Sequence, residues 1–196
     1  MHKKPEILSV SVVAKSRIFE IQSVELQFSN GIQRTYERFK GTGRAAVMVL
    51  PIENDQLLMV REYAMGTEQY ELGFPKGLMD PNETPEESAN RELKEEVGLG
   101  ANEFIHLRTV NTSPSYMNSV MHIFLARHLY PCKLEGDEPE PLEQIRFPLC
   151  QLDDLLQDPT FREARNLVAL YALRDFLTKI NIVKKMSGRY HHISLN

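Results

Sequence analysis

Apolar and polar residues follow one another with a period that changes along the chain. From Ile7 to about Phe39 they are interleaved, with Ile18, Val24, Leu26 and Phe28 among the apolar positions. A period of two predicts strands. Ser29-Asn30-Gly31 interrupts the run. Asn-Gly tolerates positive φ at both central positions of a tight turn, so a hairpin is expected here, resuming at Ile32. These residues predict a small antiparallel sheet over 1–43. It precedes a main domain over 44–178 and a weakly periodic tail over 179–196.

In the main domain, residues 45–50 are all apolar and read as a core strand. Asn54-Asp55 marks a turn, residues 56–63 the returning strand, and residues 68–74 another short strand. Strands are also expected over 104–110, 120–130 and 145–149, with a Pro- and acid-rich loop over 135–143. At Thr84 the period becomes helical. Thr84-Pro85-Glu86-Glu87 forms a capping box with proline at the first helical position. Gly98 supplies a left-handed stop, and Ala89, Leu93 and Val97 fall on one stripe that faces the core. A last amphipathic helix is expected over 162–177, directing Ala164, Leu167, Val168, Tyr171, Ala172 and Phe176 inward.

The length of 196 residues, 42% of them apolar and 26% charged, fits one well-buried soluble domain with a small appended part. A net charge of −4 lacks the basic footprint of a nucleic-acid binder. No basic segment precedes an apolar stretch at the N-terminus. The longest apolar run, 45–51, is too short to span a bilayer. No membrane partner is expected, and the cytoplasm is the expected compartment. Cys132 and Cys150 make neither a metal motif nor a disulfide framework, and read as small buried or part-buried hydrophobes. His191 and His192 are adjacent, share no face, and read as tail residues.

The chemistry concentrates between Gly77 and Leu99. The fixed members are Gly77, Glu83, Arg91, Glu92, Leu93, Glu95, Glu96, Gly98 and Leu99. Glu92, Glu95 and Glu96 are spaced i, i+3 and i+4, so they share one side of the helix, flanking the apolar stripe. Carboxylates at the edge of a core repel one another more strongly than exposed ones, and a divalent cation removes that repulsion. Hard oxygen ligands that leave room for retained waters suit magnesium or manganese. Glu83, in the loop before the helix, can fold toward the same cluster, and Arg91 can fix the carboxylate rotamers as a bidentate clamp. Gly77 is expected to allow the turn that brings the loop across the helix. Taken alone, a Glu-rich helix is an ordinary solvated face; the complete spacing is not.

This spacing resembles the signature box of the Nudix hydrolases, matched at every defining position. The resemblance implies an α/β/α sandwich with a mixed sheet, and hydrolysis of a nucleoside diphosphate linked to another group. It implies Mg2+ or Mn2+, two or more ions per site, on Glu92, Glu95 and Glu96, with Glu83 and Gly77 in the same metal set. Arg91 orients these groups, and Glu95 or Glu96 is a candidate base. The N-terminal sheet is similar to that of the ADP-ribose pyrophosphatase group, where it builds a domain-swapped homodimer with a shared site. The acidic loop resembles the one that supplies a catalytic base in that group, with Glu138 the first candidate and Glu140 the second.

Pro114 resembles a mark of ADP-ribose pyrophosphatases, and Tyr116 one of dinucleoside polyphosphate hydrolases. Arg61, Arg44 and Lys76 are candidate phosphate contacts. That group usually carries Val-Arg-Gln-Tyr-Arg and Glu-Leu-Pro-Ala-Gly. This chain has Val60-Arg61-Glu62-Tyr63-Ala64 and Glu71-Leu72-Gly73-Phe74-Pro75-Lys76-Gly77. Phe-Pro-Lys-Gly is more similar to diadenosine polyphosphate hydrolases. The resemblance therefore implies a small ADP-containing substrate drawn from ADP-ribose, diadenosine polyphosphates and NADH, cut to release AMP. The alternative is a non-catalytic Nudix-fold module that binds ADP-ribose or NAD.

Overall fold

The structure, a computed structural model, describes residues 3–186, with side chains through residue 180. These residues form two compact units, 3–44 with 111–120, and 45–110 with 121–186.

The first unit is a three-stranded antiparallel sheet in the order β1 (Glu6–Lys15), β2 (Glu20–Gln27), β3 (Gln33–Phe39). At the Asn30-Gly31 turn only Gly31 is left-handed, with φ 83°. One such residue suffices: Gly31 N donates to Phe28 O, and Phe28 N to Ile32 O, each at 2.9 Å. Every side chain of β1 and β3 is exposed. Val24 of β2 is the one buried residue among the described residues of this unit.

The second unit is built on a mixed sheet ordered β10 (Glu143–Pro148), β5 (Gln56–Ala64), β4 (Ala46–Glu53), β9 (Ser119–Pro131), β8 (Leu99–Thr112). The far ends of β8 and β9 extend into the first unit. β4 runs parallel to β9 and antiparallel to β5, while β6 (Gln69–Gly73) pairs with β5 and β7 (Lys76–Leu78) with β4. The β4–β5 turn has both Asn54 and Asp55 at positive φ, 52° and 58°, as a two-residue hairpin of the twisted sheet requires.

Alternation along the central strands makes two cores. Met48, Leu50 and Ile52, with Leu57 and Met59 and with Ile123 and Leu125, face one side. Val47, Val49, Leu58, Val60, Phe124 and Ala126 face the other. A helical layer closes each, which makes the expected α/β/α sandwich. Against the second face lies α1 (Pro85–Glu96), presenting Ala89 and Leu93, with Val97 just beyond its end. The capping box is formed at Thr84 and Glu87, and Gly98 ends the helix at φ 76°. Complete burial of Leu93 stabilises this layer by about 2 kcal/mol.

On the first face lie α2 (Leu152–Gln157) and α3 (Ala164–Met186). The expected inward stripe of α3 is rotated. Val168 and Tyr171 are exposed, as is Ala164, while Asn166, Ala169, Leu170 and Leu173 are buried. Asn166 holds that face inward because its Oδ1 accepts from Phe74 N at 3.3 Å, a bond that no count of apolar residues reveals. The helix also continues to Met186, through residues expected to be tail; the rest of the tail, with His191 and His192, lies outside the described residues. α2 and the 3-10 turn before it, Leu149–Gln151, were not expected, since six residues are too few to show a helical period. Cys132 is half-buried, Cys150 is exposed rather than buried, and both are free thiols. Among the described residues no helix is long and apolar enough to cross a membrane.

Candidate active site

The site grows from the C-terminal half of α1. Burial of Ala89 and Leu93 fixes the rotation of the helix, and that rotation carries Glu92 and Glu96 into the protein at 7% and 8% exposure. Glu95 lies one step outward, half-buried. Glu92 can lie so deep because Gly77 has no side chain. A Cβ there would overlap the Glu92 carboxylate. Gly77 is therefore not the turn residue expected; it sits inside β7, paired with Val47, and the close approach is what excludes any other residue.

Arg91 ties three carboxylates together. Its Nε and Nη2 donate to the two oxygens of Glu83 at 2.9 and 3.1 Å, a bidentate fork. Its Nη1 donates to Glu92 at 2.7 Å and to Glu95 at 2.9 Å. Bonds to Leu78 O and Ser88 Oγ complete the guanidinium shell. The Arg91 hydrogen bonds hold the Glu83 carboxyl below the usual carboxylate range. Glu92 moves the other way: burial raises it, and Glu95 and Glu138 add like-charge repulsion that Arg91 only partly offsets.

Glu96 stands apart from that fork. Its Oε1 accepts from Lys76 N at 3.1 Å, and its Oε2 is buried with no partner. Burial pushes its carboxyl up to about 8. A buried acceptor without a donor is costly and calls for a positive ligand or a proton. Among the described residues no three acidic, histidine or cysteine side chains stand at the mutual spacing of a metal-ligand set, since Arg91 occupies the space between the carboxylates. The donor chemistry nevertheless fits a divalent cation. Glu83, Glu92 and Glu95 share the one guanidinium of Arg91, while Glu138 adds repulsion at Glu92 and Glu96 keeps an oxygen without a partner.

The acidic loop forms the opposite wall. A cavity of about 350 Å³ is lined by Glu95 and Glu96 on α1 and by Lys133, Glu138, Glu140 and Gln144 around the loop. Leu134 N donates to Lys94 O at 3.2 Å, and the Gln144 side chain to Val97 O at 2.9 Å, so both ends of the loop are tied to the end of α1. Glu138 is half-buried, and its carboxylate fills the place a Cβ on Gly136 would take, a point 3.5 Å from Glu95 Cβ. Glu140 is exposed and accepts from Tyr70 Oη at 2.5 Å.

The remaining candidates spread out. Lys76 pairs with Glu62 through Nζ beside Glu96. Arg61 pairs with Glu143 at 3.1 Å across β5 and β10. Arg44 lies at the edge of the first unit, its N–H bonded to Thr42 Oγ1. Pro114 and Tyr116 also belong to the first unit. They line a cavity of about 250 Å³ with Arg38 and Asn111, and the Tyr116 carbonyl accepts from Phe39 N. Sequence reasoning passed over Glu62, Tyr70 and Gln144. The signal for Tyr70 was an aromatic residue in a strand register opposite a second one, Tyr63.

Residues 42–171 match the model of the NUDIX domain. The chain belongs to the Nudix family. Enzymes of this family generally require a divalent cation such as Mg2+. Residues 5–38 match the NudE-type Nudix hydrolase N-terminal domain. The ADP compounds hydrolase NudE of Escherichia coli K12 is 57% identical over 89% of this chain and 94% of its own length. The ADP-ribose pyrophosphatase of Bacillus subtilis is 29% identical over 85% and 92%. A crystal structure of an ADP compounds hydrolase superposes with a TM-score of 0.88 at 56% identity, covering 91% of this chain and 97% of that one. The chain is thus a Nudix pyrophosphohydrolase, and Gly77 to Leu99 is its Nudix box.

Proposed function

We propose that this chain hydrolyses the pyrophosphate bond of ADP-linked compounds, among them ADP-ribose, diadenosine polyphosphates and NADH, and releases AMP. The reading rests on one observation above the others: two glutamates buried at one end of α1, one of them with an unpartnered oxygen. The activity named for the Escherichia coli relative supports the substrate class.

Glu92, Glu95 and Glu96 would hold two or more Mg2+ or Mn2+ ions, with Glu83 and Gly77 completing the set. Such ions supply Lewis-acid stabilisation of developing phosphate charge and a nucleophilic water at neutral pH. Arg91 keeps Glu83, Glu92 and Glu95 in fixed rotamers, so little reorganisation is left for the moment of reaction. Glu138, half-buried beside Glu95, takes the proton from the attacking water, with Glu140 as the second candidate for that role. Lys76 and Arg61, with Arg44, neutralise substrate phosphates, and Pro114 and Tyr116 serve substrate recognition. The exposed apolar residues of the N-terminal sheet support a homodimer. Two free cysteines support a reducing, cytoplasmic setting.

The test is a substrate panel with product identification. AMP release from ADP-ribose and diadenosine triphosphate, present with Mg2+ and absent with chelator, is expected. The Glu96→Gln variant is expected to lose about a thousandfold in turnover without a fall in Tm. Binding of ADP-ribose with no product over hours would make the chain a sensor instead.

A further inference from the structure

The acidic loop that walls the site is held at three points. Its ends are bound to α1 through Leu134 N and the Gln144 side chain. Between them, the exposed Glu140 carboxylate accepts from Tyr70 Oη at 2.5 Å, across 70 residues of sequence. Tyr70 lies on β6, directly opposite Tyr63 on β5. The two rings meet edge to face, with centroids 5.4 Å apart and planes at 68°. Such a contact orients an aromatic ring that is itself half in solvent. The phenol is therefore aimed by the β5–β6 pairing. The carboxylate next to it holds the Tyr70 hydroxyl in its protonated, donating form.

Two residues earlier in the loop, Glu138 has different neighbours. Glu138 packs back on Gly136, beside Glu95, and lies close enough to repel the Glu92 carboxylate. Glu140 is thus anchored to β6, while Glu138 lies beside α1.

We infer that Tyr70 is a positioning residue of the reaction: it latches Glu140 to the β5–β6 hairpin and so fixes the loop with Glu138 turned toward the carboxylates of α1. Glu140 then acts as the acceptor of the latch, not as the base. A short bond to a charged acceptor is the stronger kind of hydrogen bond, and small displacements of a reacting group are costly in rate. The inference rests on the hydrolase reading for its kinetic part only.

Two measurements separate the latch from the hydrolase reading. The first is amide hydrogen exchange on the full chain without substrate. Tyr70→Phe is expected to speed exchange over residues 135–142 and to leave α1 and Tm unchanged; unaltered exchange in the loop overturns the latch whatever the activity. The second is AMP release from ADP-ribose with Mg2+. Tyr70→Phe is expected to lower kcat about tenfold with KM changed by less than about twofold. Glu140→Ala is expected to match it, and Glu140→Gln, whose amide oxygen still accepts, to lose less than about threefold. The Tyr70→Phe/Glu140→Ala double variant is expected to be no worse than either single one. A Glu140→Gln loss as deep as that of Glu138→Gln, or additive losses in the double variant, overturns the inference. If the wild-type chain releases no product from any ADP-linked compound, the hydrolase reading falls, and the exchange result still decides the latch.

Discussion

The two units of this chain solve the sheet problem in opposite ways. The central strands of the Nudix unit are covered on both faces, and Met48, Leu50, Leu57, Met59 and Ile123 are fully enclosed. The N-terminal sheet has comparable strand lengths, yet β1 and β3 bury nothing, and Ile7, Leu8, Val10, Val12, Val13 and Tyr36 are exposed. A sheet of three strands needs a covered face to be stable in water. The contrast teaches that the Nudix unit carries its own core and its chemistry, whereas the N-terminal sheet presents an exposed apolar surface, which we propose is covered by a second copy.

The sharpest way to break this comparison is to damage each unit in turn. Leu170→Ala removes a fully buried side chain from the layer under α3 and is expected to cost about 3 kcal/mol in chemical denaturation. Val12→Ala is expected to cost under about 0.5 kcal/mol in dilute, dissociated protein. Equal losses would erase the distinction.

Next comes a change of assembly. Val10 and Tyr36 flank Val24 across the ladder, so all three lie on one face. The Val10→Glu/Tyr36→Glu double variant is expected to convert a dimer to a monomer by light scattering while the main unfolding transition stays in place. A wild-type monomer at working concentration would contradict the proposed role of this face.

The smallest effect concerns pH. Glu163 accepts from Asn166 N at 2.9 Å at the start of α3, and it pairs with Arg165. Against the opposing cost of its burial, those two partners hold its carboxyl below the usual 4.5. A depressed folded value means that the stabilisation is present above about 4.5 and is lost as pH falls through the folded value. Glu163→Ala is expected to cost about 1 kcal/mol at pH 7 and progressively less as the pH falls below about 4.5, read from denaturation midpoints.

Much of this was legible because local chemistry and tertiary structure agree. Thr84-Pro85-Glu86-Glu87, Gly98 and Asn54-Asp55 each dictate a backbone shape through nearby atoms alone, and each is found in that shape. The carboxylates of α1 were placed by helical spacing plus one apolar stripe. What failed depended on distant partners. The face of α3 turns on Asn166 reaching Phe74, and Gly77 is required by a side chain fifteen residues later, Glu92. Arg91 was expected as a clamp, but not as the group that fills the space among the carboxylates. Tyr70 and Glu140 meet only once β6 and the acidic loop are both in place.

Hydrolysis as proposed requires the carboxylates around α1 to accept divalent cations in place of part of the Arg91 hydrogen bonding. Manganese binding followed by electron paramagnetic resonance tests this directly, because it needs neither a substrate nor turnover. The wild-type chain is expected to bind Mn2+ and to release it to excess Mg2+, and Glu92→Gln/Glu96→Gln to lose most of that binding at unchanged Tm. Equal binding by both proteins, or none by the wild type, would contradict it.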